Sequence, residues 1–129
     1  SKWPQLGGKG RIGLACSVLG SQLIVTGGYG SHSTVLSTTA SLDLASGPGA
    51  AWLEGGRMKT PRYRHAMVTV GAAGRERLYV LGGWDGRRTL ATVERWQEGG
   101  SRWEEEEERL PEGRRGMGAV AMTEDVCTA

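Results

Sequence analysis

The stretch that decides the fold is LYVLGGWDG, Leu78 to Gly86, which repeats the pattern of LIVTGGYGS, Leu23 to Ser31. Each stretch has an apolar run rich in β-branched or aromatic residues, then two glycines, then an aromatic residue. Gly27 and Gly82, which open the two glycine pairs, are 55 residues apart. A glycine-rich turn after a strand also begins many phosphate-binding loops, so the repeat competes with a nucleotide-binding hypothesis.

The first stretch does not fit a nucleotide-binding loop. The dinucleotide motif needs G-x-G-x-x-G followed by a helix, and Ser33 stands where the third glycine is required. The next segment, TVLSTTASLDL, is typical of strands, and no Lys-Ser/Thr pair follows as in a P-loop. We therefore predict no cofactor.

Two further landmarks recur at about the same period. Tryptophans stand at Trp3, Trp52 and Trp103, with spacings of 49 and 51 residues. Arginines precede each new apolar run, and the sequence leaves two registers open: Arg11, Arg64 and Arg115, or Arg11, Arg62 and Arg114. Three landmarks in the same order indicate an internal repeat of about 50 residues.

Each period is predicted to hold four short strands, because apolar runs alternate with turn segments such as LGSQ and GAAGRE. The predicted strands are Gly13–Leu19, Gln22–Thr26, Thr38–Leu44 and Ala51–Glu54 in the first period, and His65–Val70, Arg77–Leu81, Ala91–Trp96 and Arg102–Glu106 in the second. The glutamate run Glu104–Glu108 is interpreted as a solvated face on an outer strand, which protects a sheet edge.

This pattern resembles the kelch repeat: an apolar strand, Gly-Gly, a variable loop, an aromatic residue, six residues and then Trp. The second period fits with Trp96 and Trp103, although Trp96 stands where the family usually has Tyr. The first departs further, with Leu44 at the aromatic place and seven residues before Trp52. The run RIGLACSVLGSQLIVTGG is similar to blades of BTB-kelch ubiquitin-ligase adaptors.

The resemblance implies an all-β fold, a kelch-type β-propeller with about two full four-stranded antiparallel blades and partial flanking blades. Because a closed propeller has 4–8 blades, we expect the chain to be a fragment of a longer protein. The predicted division is 1–10 for the end of a preceding blade, 11–58 and 59–110 for blades, and 111–129 for the start of another. Structural roles are expected for Gly27, Gly28, Gly82, Gly83, Trp52 and Trp103.

Composition narrows the class of partner. Sixteen basic and 14 acidic residues leave a net charge of +2, which does not favour nucleic acid or an anionic membrane. The two cysteines, Cys16 and Cys127, lie in unrelated contexts, so we expect no disulfide framework and a reducing, cytoplasmic location. His32 and His65 show no metal-ligand spacing, and we predict neither a metal site nor catalytic residues. A structural role is expected for His65.

The resemblance also implies where function lies. Loops at one end of a kelch propeller bind a peptide or protein, so we expect a protein-interaction scaffold rather than an enzyme. Substrate recognition for a cullin-type ubiquitin ligase is one candidate role; the alternatives are an enzymatic propeller acting on a sugar or small molecule, and an actin-binding protein. The candidate partner-binding residues, suited to a protein or peptide with acidic groups, are Arg11, Arg64, Arg115, Tyr29, Ser31, His32, Trp84, Asp85, Arg87 and Arg88. The remaining blades of a longer chain, or self-association, are the other expected contacts.

Overall fold

The structure is a computed structural model, and it describes residues 11–30, 33–72, 74–97 and 102–113. This part of the chain is built mainly from short strands, with a 3₁₀ segment at Leu44–Gly49. The strands are β1 (Ala15–Leu19), β2 (Gln22–Thr26), β3 (Tyr29–Gly30), β4 (Thr34–Val35), β5 (Thr39–Asp43), β6 (Leu53–Glu54), β7 (Ala66–Val70), β8 (Arg77–Leu81), β9 (Val93–Gln97) and β10 (Glu104–Glu105).

The strands form two four-stranded antiparallel sheets, in the orders β1-β2-β5-β6 and β10-β9-β8-β7. We call them blade one and blade two. The hairpins correspond: Ala15 pairs with Thr26 in β1–β2, as Ala66 pairs with Leu81 in β7–β8. The predicted all-β fold of kelch-type blades is confirmed, and the described sheets do not close into a ring. The flanking partial blades predicted at 1–10 and 111–129 lie outside the described residues, except for 111–113.

The eight predicted strands all occur, with ends that differ by a few residues. Within each blade the outer strand is the shortest, at Leu53–Glu54 and Glu104–Glu105. The glutamates of β10 are exposed on an edge strand, as predicted, and Arg95 of β9 lies 3.7 Å from Glu104 and 3.5 Å from Glu106. Such exposed ion pairs contribute little to stability, so this charged edge serves mainly to discourage pairing with another strand.

The hydrophobic core lies between the two blades. Because side chains alternate along a strand, each sheet presents one set of residues to its neighbour. Trp103 is 2% exposed within this cluster, and Trp96 packs against it. The members of the cluster are Ala15, Leu19, Met58, Met67, Leu78, Val80 and Trp103. The structural role predicted for Trp103 is confirmed, whereas Trp52, its counterpart in blade one, is half-buried.

A polar seam joins the inner strands of the blades. The hydroxyl groups of Ser17 and Thr69 are 2.7 Å apart, and Thr69 Oγ1 also donates to the carbonyl of Val18 at 2.8 Å. Farther along, Thr26 Oγ1 lies 2.8 Å from Nε2 of the buried His65. These contacts satisfy polar groups that are removed from water, so they fix how one blade sits against the next.

The two glycine pairs end the second strand of each blade, as the repeat predicts. Gly28 and Gly83 have φ angles of +104° and +96°, in the region that side chains rarely adopt. A Cβ atom on Gly83 would lie 2.7 Å from Cβ of His65. Both reasons, backbone angle and close approach, make glycine necessary at this turn.

Cys16 is part of a disulfide bond. The chain's other cysteine, Cys127, lies outside the described residues. This differs from the expectation of no disulfide framework, which rested on the unrelated sequence contexts of the two cysteines. In the described part of the chain, no helix has the length and apolar character needed to cross a membrane.

Candidate functional site

A cleft of about 470 Å³ opens at the end of the sheets where the two glycine pairs lie. We call it the rim cleft. It is formed by the loops that follow the glycine pairs, one from each blade, together with the segment that leads into β7. Its lining residues are Tyr29, Ser33, Thr34, Val35, Tyr63, Trp84, Asp85, Gly86 and Arg87. The structure thus brings together Tyr29, Trp84, Asp85 and Arg87, four of the predicted site residues.

The aromatic residues of the cleft are held by their backbones. Tyr63 and Trp84 exchange two backbone hydrogen bonds, with N to O distances of 3.0 and 2.9 Å. Tyr29 is paired with Ile12 in the same way in blade one, at 2.8 and 3.1 Å. The rings of Tyr29 and Tyr63 then meet across the blade boundary, with centroids 5.5 Å apart and planes tilted by 45°. The cleft therefore has a preorganised aromatic wall that spans both blades.

The loop of blade one is a small hairpin. Strands β3 and β4 pair Tyr29 with Val35 and Gly30 with Thr34. The N–H of Leu36 closes the loop by donating to the carbonyl of Gly28 at 2.8 Å. Two predicted site residues at the tip of this loop, Ser31 and His32, lie outside the described residues.

The loop of blade two is a tight turn organised by Asp85. Its Oδ1 accepts hydrogen bonds from the backbone N–H groups of Arg87 and Arg88, at 2.8 and 2.9 Å. These bonds, that of Arg88 above all, lower the pKa of Asp85, although partial burial opposes the shift. The carboxylate of Asp85 thus shapes the turn, while the side chains of Arg87 and Arg88 remain exposed.

Arg62 precedes the cleft residue Tyr63 in the sequence. Its side chain is fully buried and uses all five of its N–H donors. Nη1 donates to the carbonyls of Gly82 and Thr92 at 2.9 and 2.8 Å. Nη2 donates to Thr92 Oγ1 at 2.8 Å and to Glu94 Oε2 at 3.1 Å, and Nε also donates to Glu94. A guanidinium that is enclosed and fully bonded has a structural function.

Arg11 occupies the same place in blade one. Its Nη1 donates to the carbonyl of Gly27 at 3.3 Å and to Thr38 Oγ1 at 3.1 Å, which are the counterparts of Gly82 and Thr92. Of the two registers that the sequence leaves open, the structure therefore selects the one that pairs Arg11 with Arg62. Because the guanidinium of Arg11 is engaged inside its own blade, its role in partner binding stays a prediction. Arg114 and Arg115 lie outside the described residues.

Arg64 corresponds instead to Gly13. The two residues have φ angles of +56° and +66°, and the N–H of Arg64 donates to the carbonyl of Gly13 at 2.7 Å. A side chain in this left-handed region costs on the order of 1 kcal/mol. Arg64 is exposed and forms no ion pair with any described residue. Its charge thus stands in solvent beside Tyr63, at a position where the first blade has glycine.

Sequence reasoning missed Tyr63 as a cleft residue. The signal was present in the repeat, because Tyr63 corresponds to Ile12 and faces Trp84 as Ile12 faces Tyr29. The sequence pattern favours the flanking arginines for the functional role and assigns none to Tyr63. Tyr63 reaches the cleft because its backbone pairs with that of Trp84, 21 residues away, and no pattern in the residues around Tyr63 predicts this pairing.

His65 and its surroundings are structural, as expected. Burial, with the charge of Arg62 as a smaller cause, lowers the pKa of His65 to about 3. Its Nδ1 has no hydrogen-bond partner among the described residues. A buried neutral histidine of this kind is poorly suited to acid–base chemistry near neutral pH. The described residues hold no group of three or more His, Cys, Asp or Glu side chains able to bind a metal ion.

Comparison with known families identifies one segment. Residues 61–108 match the family model for the Kelch motif, a stretch that contains the four strands of blade two and the loop of Asp85. This match supports a kelch-repeat protein. No curated protein matches the chain.

Proposed function

We propose that this chain is part of a protein-interaction scaffold of the kelch-repeat type, and that the rim cleft binds a protein or peptide partner. One observation carries the proposal: the loops after both glycine pairs converge on a single cleft with an aromatic wall. Kelch repeats generally mediate contacts between proteins, and variable loops on a rigid sheet scaffold are a common place for recognition.

The charges near the cleft favour a partner with acidic groups. Arg87 lines the cleft, Arg88 follows it in the turn, and Arg64 stands next to Tyr63, all three with exposed side chains. The carboxylate of Asp85 accepts hydrogen bonds from backbone N–H groups, and its Oδ2 lies 3.9 Å from Nε of Arg88, whose side chain is 82% exposed. Exposed guanidinium groups beside aromatic rings suit a peptide in which carboxylates flank an apolar residue, because arginine binds carboxylates through two parallel hydrogen bonds.

The experiment is a binding measurement with acidic peptides. The 129-residue chain is titrated into a labelled library of peptides that carry Asp or Glu around one apolar residue, and binding is read by fluorescence anisotropy. The R64A/R87A double variant is expected to bind at least about tenfold more weakly, since each charge-assisted hydrogen bond contributes about 1.5–3 kcal/mol.

The matched control is R75A, because Arg75 is an exposed arginine in the turn between β7 and β8, at the opposite end of the sheet. This variant is expected to bind like the wild type. If R64A/R87A binds the same peptides as tightly as R75A, the rim cleft is not the binding surface.

A finer proposal concerns the cellular role. The likeness of the first blade to BTB-kelch adaptors supports substrate recognition for a cullin-type ubiquitin ligase. A BTB domain encoded upstream and co-purification of a cullin with the full-length protein would support this role; without them the chain is a general kelch scaffold. We propose a non-enzymatic function. Turnover of a sugar or small molecule by the full-length protein would contradict it. Co-sedimentation of the full-length protein with actin filaments would identify an actin-binding scaffold instead.

A further inference from the structure

A glycine of blade one connects the two sides of the rim cleft. Gly13 lies just before β1, and its carbonyl accepts the hydrogen bond from the N–H of Arg64 at 2.7 Å. Next to Gly13 is Ile12, whose backbone is paired with that of the cleft residue Tyr29. Next to Arg64 is the cleft residue Tyr63. Backbone hydrogen bonds through Gly13 therefore join the blade-one side of the cleft to the segment that leads into β7.

Gly13 also lies against the side chains of both residues that it holds. A Cβ atom at this position would lie 2.5 Å from Cδ2 of Tyr63 and 3.2 Å from Cγ of Arg64. Carbon atoms that are not bonded to each other do not pack as closely as 2.5 Å, so a side chain here would displace the ring of Tyr63. The backbone angle by itself does not require glycine, because Arg64 has nearly the same φ at the equivalent position of blade two. The close approach of Tyr63 is what requires it.

We infer that Gly13 is a positioning residue of the rim cleft, which sets the place of the Tyr63 ring and of the Arg64 backbone. The inference rests on the proposed function, because both residues belong to the surface proposed to bind an acidic peptide. With no side chain at Gly13, the ring of Tyr63 reaches blade one and meets that of Tyr29, with centroids 5.5 Å apart. The aromatic ring and the exposed guanidinium are on consecutive residues held by one glycine. A single backbone contact thus controls both the apolar and the acidic part of recognition.

The test compares G13A with G74A in the full 129-residue chain. Gly74 also has a positive φ, +82°, but nothing lies within 4 Å of a Cβ atom there, and it is in the turn between β7 and β8. Alanine therefore adds backbone strain in both variants and a collision in G13A alone. Affinity for peptides that carry Asp or Glu around one apolar residue is measured by fluorescence anisotropy. The contact between the rings of Tyr29 and Tyr63 is measured by the nuclear Overhauser effect between their ring protons.

G13A is expected to bind these peptides at least about tenfold more weakly than the wild type and to lose the contact between the two tyrosine rings, whereas G74A keeps both. Unchanged peptide affinity or an unchanged ring contact in G13A would overturn the inference. If no peptide binds the wild type, the proposed function fails and the ring contact alone decides the role of Gly13. Loss of that contact in G13A supports the role, and its retention refutes it.

Should G13A fail to fold, the same substitution in the Y63A variant decides, because Y63A removes the ring that a side chain at position 13 would meet. Adding G13A to Y63A is expected to lower the midpoint of thermal unfolding by no more than G74A lowers that of the wild type. A larger decrease would show that glycine is required at position 13 for a reason other than the ring of Tyr63, and would refute the inference.

Discussion

Arg62 and Glu94 form an ion pair of 3.1 Å in which both side chains are completely shielded from solvent. Glu94 also accepts hydrogen bonds from the backbone N–H groups of Lys59 and Thr60, at 2.6 and 3.1 Å. The pair therefore ties the connection between the blades to a strand of blade two. In blade one Ala40 occupies the position of Glu94, so Arg11 has no equivalent carboxylate partner.

This difference predicts unequal effects of removing the two arginines. R62M is expected to lower the free energy of unfolding by about 3–5 kcal/mol, because it leaves the charge of Glu94 buried and unpaired. R11M is expected to lower it by about 1 kcal/mol, since Arg11 is only half-buried. Urea denaturation followed by tryptophan fluorescence measures both values. Equal losses of unfolding free energy in R62M and R11M would contradict the structural role of the Arg62–Glu94 pair. The double variant R62M/E94L should be more stable than R62M alone, because it leaves no buried charge unpaired.

A second prediction concerns the glycine that ends β8. G83A is expected to destabilise the protein by more than about 1 kcal/mol, because the new methyl group would meet His65 in addition to the unfavourable positive φ. G74A is the matched control: Gly74 has a φ of +82° but open space around it. Its loss should come from backbone strain alone and be about 1 kcal/mol or less. Thermal unfolding of the two variants checks the difference, and a G83A variant no less stable than G74A would argue against the close approach.

The buried histidine makes stability depend on pH. The folded pKa of His65 is about 3, below its usual 6.5, so the neutral form stabilises the fold fully above pH 6.5. As the pH falls from 6.5 toward 3, the unfolded chain binds a proton that the folded chain does not, and stability declines by up to about 1.4 kcal/mol per pH unit from this group. Denaturation of wild type and H65Q at several pH values isolates the effect, because His32 is common to both. Parallel curves for the two proteins would show that His65 is protonated normally in the folded state.

Apolar side chains on the exposed edges predict self-association of the chain on its own. Leu53, on the edge strand of blade one, is 65% exposed, and Ile12 is 67% exposed. An edge strand with an exposed apolar residue pairs readily with another chain. Light scattering should give a mass above 13.8 kDa that decreases in the L53K variant. A monodisperse monomer with sharp, cooperative thermal unfolding would contradict this prediction.

Much of the fold could be predicted from sequence because its signals are local. The turn chemistry of the Gly27-Gly28 and Gly82-Gly83 pairs and the alternation of apolar residues between them define the strands, and their recurrence defines the blades. The position of Trp103 between blades followed from the same repeat. The candidate site was predicted in part, since its two loops are the variable segments after each glycine pair.

The sequence by itself determined the strand order within each blade, the glycine turns and the loops that can vary, because each depends on neighbours a few residues apart. Only the tertiary structure decided which arginines correspond. Arg62 and Arg64 are two residues apart and both fit the repeat, and what separates them is contact with Gly82, Thr92 and Glu94, 20 to 32 residues away. Burial and these distant partners make Arg62 structural, whereas the positive φ and exposure of Arg64 leave its charge available to a partner.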